Sequence, residues 1–302
     1  MSSIAGVFFK TEEGWLKETP VVQTEEQSVM IQIFVDSGSS IKQEEKQKYG
    51  VEMIPLRYLM GEEEYRDGID LTIDEFYRML IDKKLFPKTS LPFQVETVQA
   101  VERYTDQGYD VVILSISSKI SGTCNALRGW FADNPKVTVV DTLSAVGGIR
   151  LLVEEMNRHL DEPLEEVLNR VYRLIPRIRI YAIPETLNYL FRGGRLSRKE
   201  WLIGGLLDIK PVISLNEEGV KVVAKKRGLK KTMRLIADYV AEQADPAYAI
   251  IPSYTYDDSN LKTLISMTDE RFHSAMEEFD NLDPVIACHW GPNAFGYIFI
   301  GK

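Results

Sequence analysis

The apolar stretch Tyr109–Leu114 (YDVVIL) and the loop after it, Ser115–Thr123 (SISSKISGT), decide the fold predicted for this chain. The first stretch is continuous and β-branched, a pattern typical of a buried parallel strand. A helix is predicted from Asn125 onwards. The loop therefore places five hydroxyl side chains and one glycine between a strand end and a helix start, where open α/β sheets bind ligands. A serine-rich loop that only caps its helix would look the same.

Outward from this loop, strands and helices alternate, which predicts a mostly parallel sheet flanked by helices. Three more strands are expected in the first half, at Val29–Val35, Val51–Leu59 and Val137–Val140, with a hairpin turn at Gly61 after the second of these. A capping box at Thr72–Glu75 opens the next helix. A rigid loop is expected at Pro87–Pro92.

A second α/β domain is expected after Pro176, which ends an amphipathic helix. A β-hairpin is predicted there from Pro211–Leu215 and Val220–Ala224. The basic run Lys225–Lys231 is expected to open a helix, and Val285–Cys288 is predicted to be a strand. The chain is thus divided into an amino-terminal arm (residues 1–28), a first α/β domain (29–175) and a second α/β domain (176–302).

Composition excludes several classes of function. The chain has 302 residues, 44% hydrophobic and 27% charged, which is typical of a globular protein with a full core. Its net charge of -9 argues against a nucleic-acid partner, because phosphate neutralisation needs a basic face. Cys124 and Cys288 belong to no CxxC pair and no signal peptide is evident, so a cytoplasmic location is expected. With three histidines and no thiolate cluster, no metal site is expected.

The side chains best suited to bind a small acid are Thr89, Ser121 and His289, each in a loop with a glycine or proline. Two hydroxyls and an imidazole can each donate a hydrogen bond to a carboxylate oxygen. Taken singly, Thr89 is better explained as a capping residue and His289 as a structural histidine, so the case depends on their convergence. The chain has no GxxxxGK[ST], GxGxxG, HExxH or GxSxG motif, so it is not expected to bind ATP or a nicotinamide by a familiar route.

Eight segments resemble the DegV family in their order and spacing: FVDSGSSI, FPKTSLP, YDVVILSISSKISGT, VTVVDT, LNYLFRGGRLS, IKPVISL, KKRG and HWGPNAFG. The resemblance runs from about Ile31 to the carboxyl terminus, and KTS, SSxxSGT and GGRLS make it specific. It implies two α/β domains, the second with a mixed sheet, that enclose a long-chain fatty acid. Two segments depart from the family pattern: the first loop reads DSGSS rather than DSTAD, and Asn293 replaces the second glycine of HxGPG.

The resemblance also implies a function. Members of this family bind a long-chain fatty acid in an apolar tunnel and present its carboxyl group to a separate ATP-dependent kinase, which forms acyl phosphate for phospholipid metabolism. The chain would then be the lipid-binding subunit of a fatty acid kinase, without catalytic residues or a cofactor of its own. The fatty acid and the kinase catalytic subunit are its expected partners, with transient membrane contact for lipid exchange.

The residues that match the family's carboxylate site are Thr89, Ser121 and His289. Five residues are expected to support their loops: Ser118, Gly122, Thr123, Asp36 and Ser37. Three cations are expected to dock the kinase or meet the phosphate: Arg195, Arg227 and Lys230. A solvated surface on an acidic protein explains each of these cations equally well.

Two other functions fit the same residues. A hydrolase or acyltransferase would use Ser121 as nucleophile and His289 as base, and it would need a third group to orient the histidine. A module that binds a small polar anion would use the hydroxyl-rich loops without an apolar tunnel.

Overall fold

The computed structural model describes residues 8–11, 14–17, 30–205, 207–276 and 279–302. Within the predicted amino-terminal arm, Phe8–Thr11 (β1) and Gly14–Lys17 (β2) form an antiparallel hairpin. The other residues of that arm lie outside the described part of the chain, as does Val29, the first residue of the strand predicted at Val29–Val35.

The first sheet is parallel throughout and has four strands in the order β4-β3-β8-β9. Its strands are Ile31–Asp36 (β3), Val51–Ile54 (β4), Asp110–Ser115 (β8) and Val137–Asp141 (β9). The opening apolar stretch is therefore confirmed as a buried parallel strand with a neighbour on each side. Parallel strands covered on both faces are expected to be apolar along their whole length, and Val111–Leu114 are fully buried.

The single strand predicted at Val51–Leu59 is wrong. The chain leaves the parallel sheet after β4, and Pro55 separates it from Arg57–Met60 (β5), which belongs to another sheet. Proline has no N–H to donate to a ladder, so it marks the point where the strand changes sheet.

A small antiparallel sheet has the order β6-β5-β7 and consists of β5, Glu63–Arg66 (β6) and Lys88–Ser90 (β7). The hairpin turn at Gly61 is confirmed, with φ of 72° at that glycine. The rigid loop predicted at Pro87–Pro92 instead contains an edge strand, because its central residues pair with β5. Thr89 lies opposite Tyr58 in this pairing.

Six helices cover the sheets of the first half: Lys46–Tyr49 (α1), Ile73–Asp82 (α2), Gln94–Thr105 (α3), Thr123–Trp130 (α4), Gly147–Asn157 (α5) and Leu164–Leu174 (α6). The capping box of α2 is confirmed. The Glu75 N–H donates to Thr72 Oγ1 at 3.3 Å, and the Thr72 N–H donates to Glu75 Oε2 at 2.9 Å.

The second sheet has six strands in the order β12-β11-β10-β15-β13-β14 and is antiparallel except for the last pair. Its strands are Ile178–Ile183 (β10), Ile209–Asn216 (β11), Gly219–Arg227 (β12), Ile250–Tyr254 (β13), Asp280–Asn281 (β14) and Phe295–Ile300 (β15). The mixed sheet and the β11–β12 hairpin are therefore confirmed. The basic run opens a helix only with its last residues: its first three residues, 225–227, complete β12, and the helix begins at Leu229.

Five helices belong to the second half: Asn188–Arg192 (α7), Arg198–Trp201 (α8), Leu229–Gln243 (α9), Ser259–Met267 (α10) and Pro284–Trp290 (α11). The strand predicted at Val285–Cys288 is wrong, since these residues lie within α11. Asp283 at the N-cap and Pro284 at the first helical position are a favoured start for a helix. A short apolar run cannot by itself distinguish a strand from a buried helix.

The two halves share one hydrophobic core. It joins Val35 and Leu114 of the parallel sheet to Ile180, Ile213 and Ile298 of the mixed sheet. The strands of the parallel sheet come from residues 31–141 and those of the mixed sheet from 178–300. The exact division between residues 175 and 176 stays a prediction. None of the helices in the described chain has the length and apolar character needed to span a bilayer.

Candidate ligand-binding site

A cavity of about 360 Å³ lies between the two sheets, within the size range of small-molecule sites. Both halves of the chain contribute to its wall, and most of that wall is apolar. Representative lining residues are Ile116, Val146, Ile180, Leu215, Ile286 and Phe295. An elongated apolar molecule would therefore be shielded from water over most of its surface.

The polar groups of the cavity include all three side chains predicted to bind a carboxylate. Thr89, Ser121 and His289 each line it, although β7, the loop after β8 and α11 supply them from distant parts of the chain. Thr89 Oγ1 and His289 Nε2 are 2.9 Å apart. Their convergence is observed, while their role as carboxylate ligands stays a prediction.

The loop after β8 is shaped by its own hydroxyl groups. The Thr123 N–H donates to Ser121 Oγ at 3.2 Å, and the two side-chain oxygens of these residues are 2.8 Å apart. The Ser121 N–H donates to the Ser117 carbonyl at 3.1 Å, and the Ser118 N–H donates to Asp141 Oδ1 at 3.0 Å. Ser121 is thus held in one orientation at the cavity wall, and Gly122 beside it is exposed and also lines the cavity.

Asp36 and Ser37 support this loop from behind and do not line the cavity. The Asp36 carboxyl group accepts hydrogen bonds from Ser115 Oγ, at 2.9 Å, and from the Ile116 N–H, at 2.8 Å. Burial raises the pKa of Asp36 to about 6, although these hydrogen bonds oppose the shift. Ser37 Oγ accepts a hydrogen bond from the Leu56 N–H at 3.0 Å. Both residues therefore connect neighbouring segments at the carboxyl edge of the sheet.

His289 is neutral at physiological pH in this environment. Burial and, to a smaller extent, the nearby positive charge of Arg195 together lower its pKa to about 3. Its Nδ1 atom is buried without a hydrogen-bond partner in the described chain. Because a buried N–H without an acceptor is rarer and costlier than an idle lone pair, the proton is favoured on Nε2, which then donates to Thr89 Oγ1. The Thr89 hydroxyl proton remains free to face a ligand.

Gly193 provides the space that His289 occupies. A Cβ atom at position 193 would lie 2.3 Å from His289 Nδ1 and 3.0 Å from the Tyr189 carbonyl oxygen. The motif Arg192-Gly193-Gly194-Arg195 stands at the end of α7, where two glycines suit a helix terminus. Its first glycine also lets α7 approach the imidazole closely.

Arg195 was predicted to dock the kinase or to meet the phosphate, and it lies in the cavity wall. Its Nε donates to the Ile120 carbonyl at 2.7 Å and its Nη1 donates to the Gly193 carbonyl at 2.6 Å. Burial lowers the pKa of this guanidinium, and no carboxylate of the described chain forms an ion pair with it. The cavity thus contains a fixed positive charge that an anionic ligand could neutralise. The two glycines before Arg195 were the feature of the sequence that could have indicated its position in the cavity wall.

The other two predicted docking cations lie elsewhere. Arg227 ends the edge strand β12 and Lys230 begins α9, and both are exposed. Neither lines the cavity. The residues described by the structure contain no cluster of three or more histidine, cysteine or acidic side chains suited to a metal ion. Asn293 has φ of 61°, a conformation that asparagine tolerates well, which explains how it replaces a glycine of the family pattern.

A parallel sheet and a mixed sheet around a largely apolar cavity with one polar end define the class: a two-domain α/β ligand-binding protein. The family model described as "Uncharacterised protein, DegV family" matches residues 30–302. The chain therefore belongs to the DegV family, as its motifs indicated.

Known members of the family agree with this architecture. A DegV domain-containing protein of Caldanaerobacter subterraneus subsp. tengcongensis is 36% identical over 215 residues, which cover 70% of this chain and 76% of that protein. A fatty-acid-binding DegV family protein from Thermus thermophilus superposes with a TM-score of 0.80 at 28% identity, covering 91% of this chain and 100% of that one. A stearic-acid-binding protein from Eubacterium ventriosum gives a TM-score of 0.79 at 26% identity, covering 90% of this chain and 99% of that one.

Proposed function

We propose that this protein binds a long-chain fatty acid in the cavity between its two sheets. The observation that carries the proposal is the combination of an apolar wall with the hydroxyls of Thr89 and Ser121 and the guanidinium of Arg195 at one end. A fatty acid has the same division into an apolar chain and a charged head. Each buried CH₂ group contributes about 0.8 kcal/mol, so the acyl chain supplies most of the affinity.

The carboxylate would be held by two hydroxyl donors and one fixed cation. Ser121 Oγ and Thr89 Oγ1 both face the cavity, and a neutral His289 leaves the Thr89 hydroxyl free to donate. Arg195 supplies the opposite charge, because the imidazole is not protonated at neutral pH. His289 in this arrangement orients Thr89 and need not touch the ligand.

The resemblance to the DegV family supports a further step, in which a separate kinase phosphorylates the bound carboxyl group. The protein would act as the lipid-binding subunit and supply no catalytic group. Arg227 and Lys230 are exposed cations suited to contact an acidic surface of that kinase. Transient membrane contact during lipid exchange is part of the same proposal.

The geometry gives less support to a serine hydrolase. The hydrogen-bond partner of His289 Nε2 is Thr89, and the hydroxyl partner of Ser121 Oγ is Thr123. A nucleophile and its base would be expected to bond to each other. The largely apolar wall likewise gives less support to a module for small polar anions.

The ligand is tested by mass spectrometry of lipids extracted from the purified, denatured protein. We expect a stoichiometric long-chain fatty acid, and the measurement also reports its length and unsaturation. Protein that carries no lipid and binds none added to it would contradict the proposal.

The carboxylate site is tested with Ser121→Ala and Thr89→Ala. Each variant should weaken fatty acid binding by about 1.5–3 kcal/mol, since a hydrogen bond to a charged group is lost. Ser266→Ala and Thr105→Ala remove hydroxyls far from the cavity and serve as matched controls. Affinity is measured by displacement of a fluorescent fatty acid. The assignment is refuted if both site variants bind as tightly as their controls.

A further inference from the structure

Helix α11 belongs to the second half of the chain but packs in the core of the first half. Ala287 and Cys288 share a buried cluster with Tyr58, Phe76 and Leu80 of β5 and α2. The helix also contacts β7, the strand that carries Thr89. The spacing between His289 at the end of α11 and Thr89 therefore depends on how α11 is seated.

The start of α11 is held by two titratable side chains of the first half. Lys42 Nζ donates to Asp283 Oδ1 at 2.9 Å and to the Asn281 carbonyl at 2.6 Å. Asp67 Oδ1 accepts a hydrogen bond from the Val285 N–H at 3.1 Å, and so caps the helix from a distant segment. The N-cap residue Asp283 does not cap its own helix with its side chain.

This junction contains more buried negative groups than positive ones. Asp67 is fully buried, and Asp280 and Asp283 are each 5% exposed. Lys42 Nζ lies 3.7 Å from Asp280 and serves as the ammonium shared by these carboxyl groups. One oxygen of Asp67 and one of Asp280 are buried without a hydrogen-bond partner in the described chain. Arg150 is a second buried cation and faces Asp280. Three ionised carboxylates would still outnumber these two cations and leave buried charge uncompensated, which is costly.

We propose that Lys42 and Asp67 are positioning residues that seat α11, and that ionisation of Asp67 loosens this helix and releases the ligand. The inference rests on the proposed fatty acid site. With its proton, Asp67 can cap α11 and leave Asp283 to pair with Lys42. Without the proton, a further negative charge faces Asp283 inside the junction. This repulsion acts at Asp283, six residues before His289, and weakens the contact between His289 and Thr89.

The groups around the junction determine the sign of this effect. Burial, with the negative charge of Asp283, raises the pKa of Asp67 well above its usual range, while Lys42 opposes the shift. The other charged or titratable groups that face the cluster are Asp280, Glu45, Arg150, Tyr58, Tyr77, Tyr254 and Cys288. A carboxyl group whose pKa is raised in the folded protein stabilises the folded arrangement below that pKa, and the contribution is lost as the pH rises through it.

Hydrogen exchange of α11 in the ligand-free protein tests the inference directly. We expect the protection factors of its amides to fall severalfold from a pH below the raised pKa of Asp67 to a pH above it, relative to those of α9. In Asp67→Asn, which keeps an acceptor for the Val285 N–H without the charge, protection should stay at the level seen at low pH. Lys42→Met should lower protection at both pH values. Lys262→Met, which removes the exposed partner of Asp258, is the matched control.

The release rate of cis-parinaric acid, a fluorescent fatty acid, provides the second readout on the same variants. The rate should rise with pH in the unmodified protein and stay constant in Asp67→Asn. The inference is overturned if Asp67→Asn shows the same pH dependence of exchange as the unmodified protein. A lack of probe binding would refute the fatty acid site, and the exchange of α11 would still decide whether Asp67 seats the helix.

Discussion

Two regions supply polar groups to the same end of the cavity, and they are built in opposite ways. The loop after β8 holds Ser121 by bonds within Ser117–Thr123, with support from Asp36 on the neighbouring strand. Helix α11 holds His289 through Lys42 and Asp67, which are more than two hundred residues away in sequence. Ser121 is thus held by contacts within its own loop, and His289 by contacts with distant segments. Only the contacts that hold His289 can change without a change in the residues next to it.

Arg195 connects the two regions, and its removal should have the largest effect. Its guanidinium bonds the Ile120 carbonyl in the loop and the Gly193 carbonyl beside His289. Arg195→Gln should weaken fatty acid binding by about 3 kcal/mol, because it removes the charge that would face the carboxylate.

Calorimetric titration with a fatty acid and with the corresponding fatty alcohol separates the charge from the packing. The variant should lose affinity for the acid and keep most of its affinity for the alcohol. Equal losses for both ligands would show that Arg195 shapes the wall without binding the head group.

Gly193→Ala should displace His289, which α11 contributes to the site, and leave the loop after β8 unchanged. The added Cβ would lie 2.3 Å from His289 Nδ1, so the imidazole must move away from Thr89. We expect a loss of about 1–2 kcal/mol in stability from overpacking, together with weaker ligand binding.

Gly129→Ala in α4 is the matched control, because a Cβ there meets no atom within 4 Å. That variant should be neutral or slightly stabilised, since alanine is favoured over glycine within a helix. Thermal unfolding measures both variants. Equal midpoints would show that the contact between Gly193 and His289 does not constrain the site.

The smallest effect is expected at His289, whose imidazole should not change its protonation in the neutral pH range. Burial and Arg195 lower the pKa of this imidazole to about 3, so it should stay neutral from about pH 5 to about pH 8. Its stability contribution has the opposite sign to that of Asp67: a histidine with a lowered pKa loses stability as the pH falls below the unfolded value. NMR of the carbon-bound imidazole protons of His289 over this pH range checks this. A chemical-shift step near the ordinary histidine pKa would contradict a neutral imidazole at this position.

The same contrast explains what could be predicted from the sequence. The strand Asp110–Ser115 and its loop were predictable because an apolar run and adjacent hydroxyls determine both locally. Helix α11 was mistaken for a strand, since its run of four apolar residues is ambiguous and the Asp67 cap lies in a distant segment. The edge strand at Thr89 was mistaken for a loop, because within the described residues it pairs with β5 alone. The position of Arg195 in the cavity wall was not predicted, since its desolvation depends on packing between the two halves.

The guanidinium of Arg195, which forms no ion pair with a carboxylate of the described chain, has a consequence for the lifetime of the protein. An empty site leaves this cation partly desolvated and without a counter-charge, whereas a bound carboxylate would supply one. Ligand binding stabilises the folded state by mass action, and marginally folded proteins are removed by cellular proteases. We therefore expect the unloaded form to be degraded faster than the loaded form. The cellular amount of the protein would then follow the supply of its ligand.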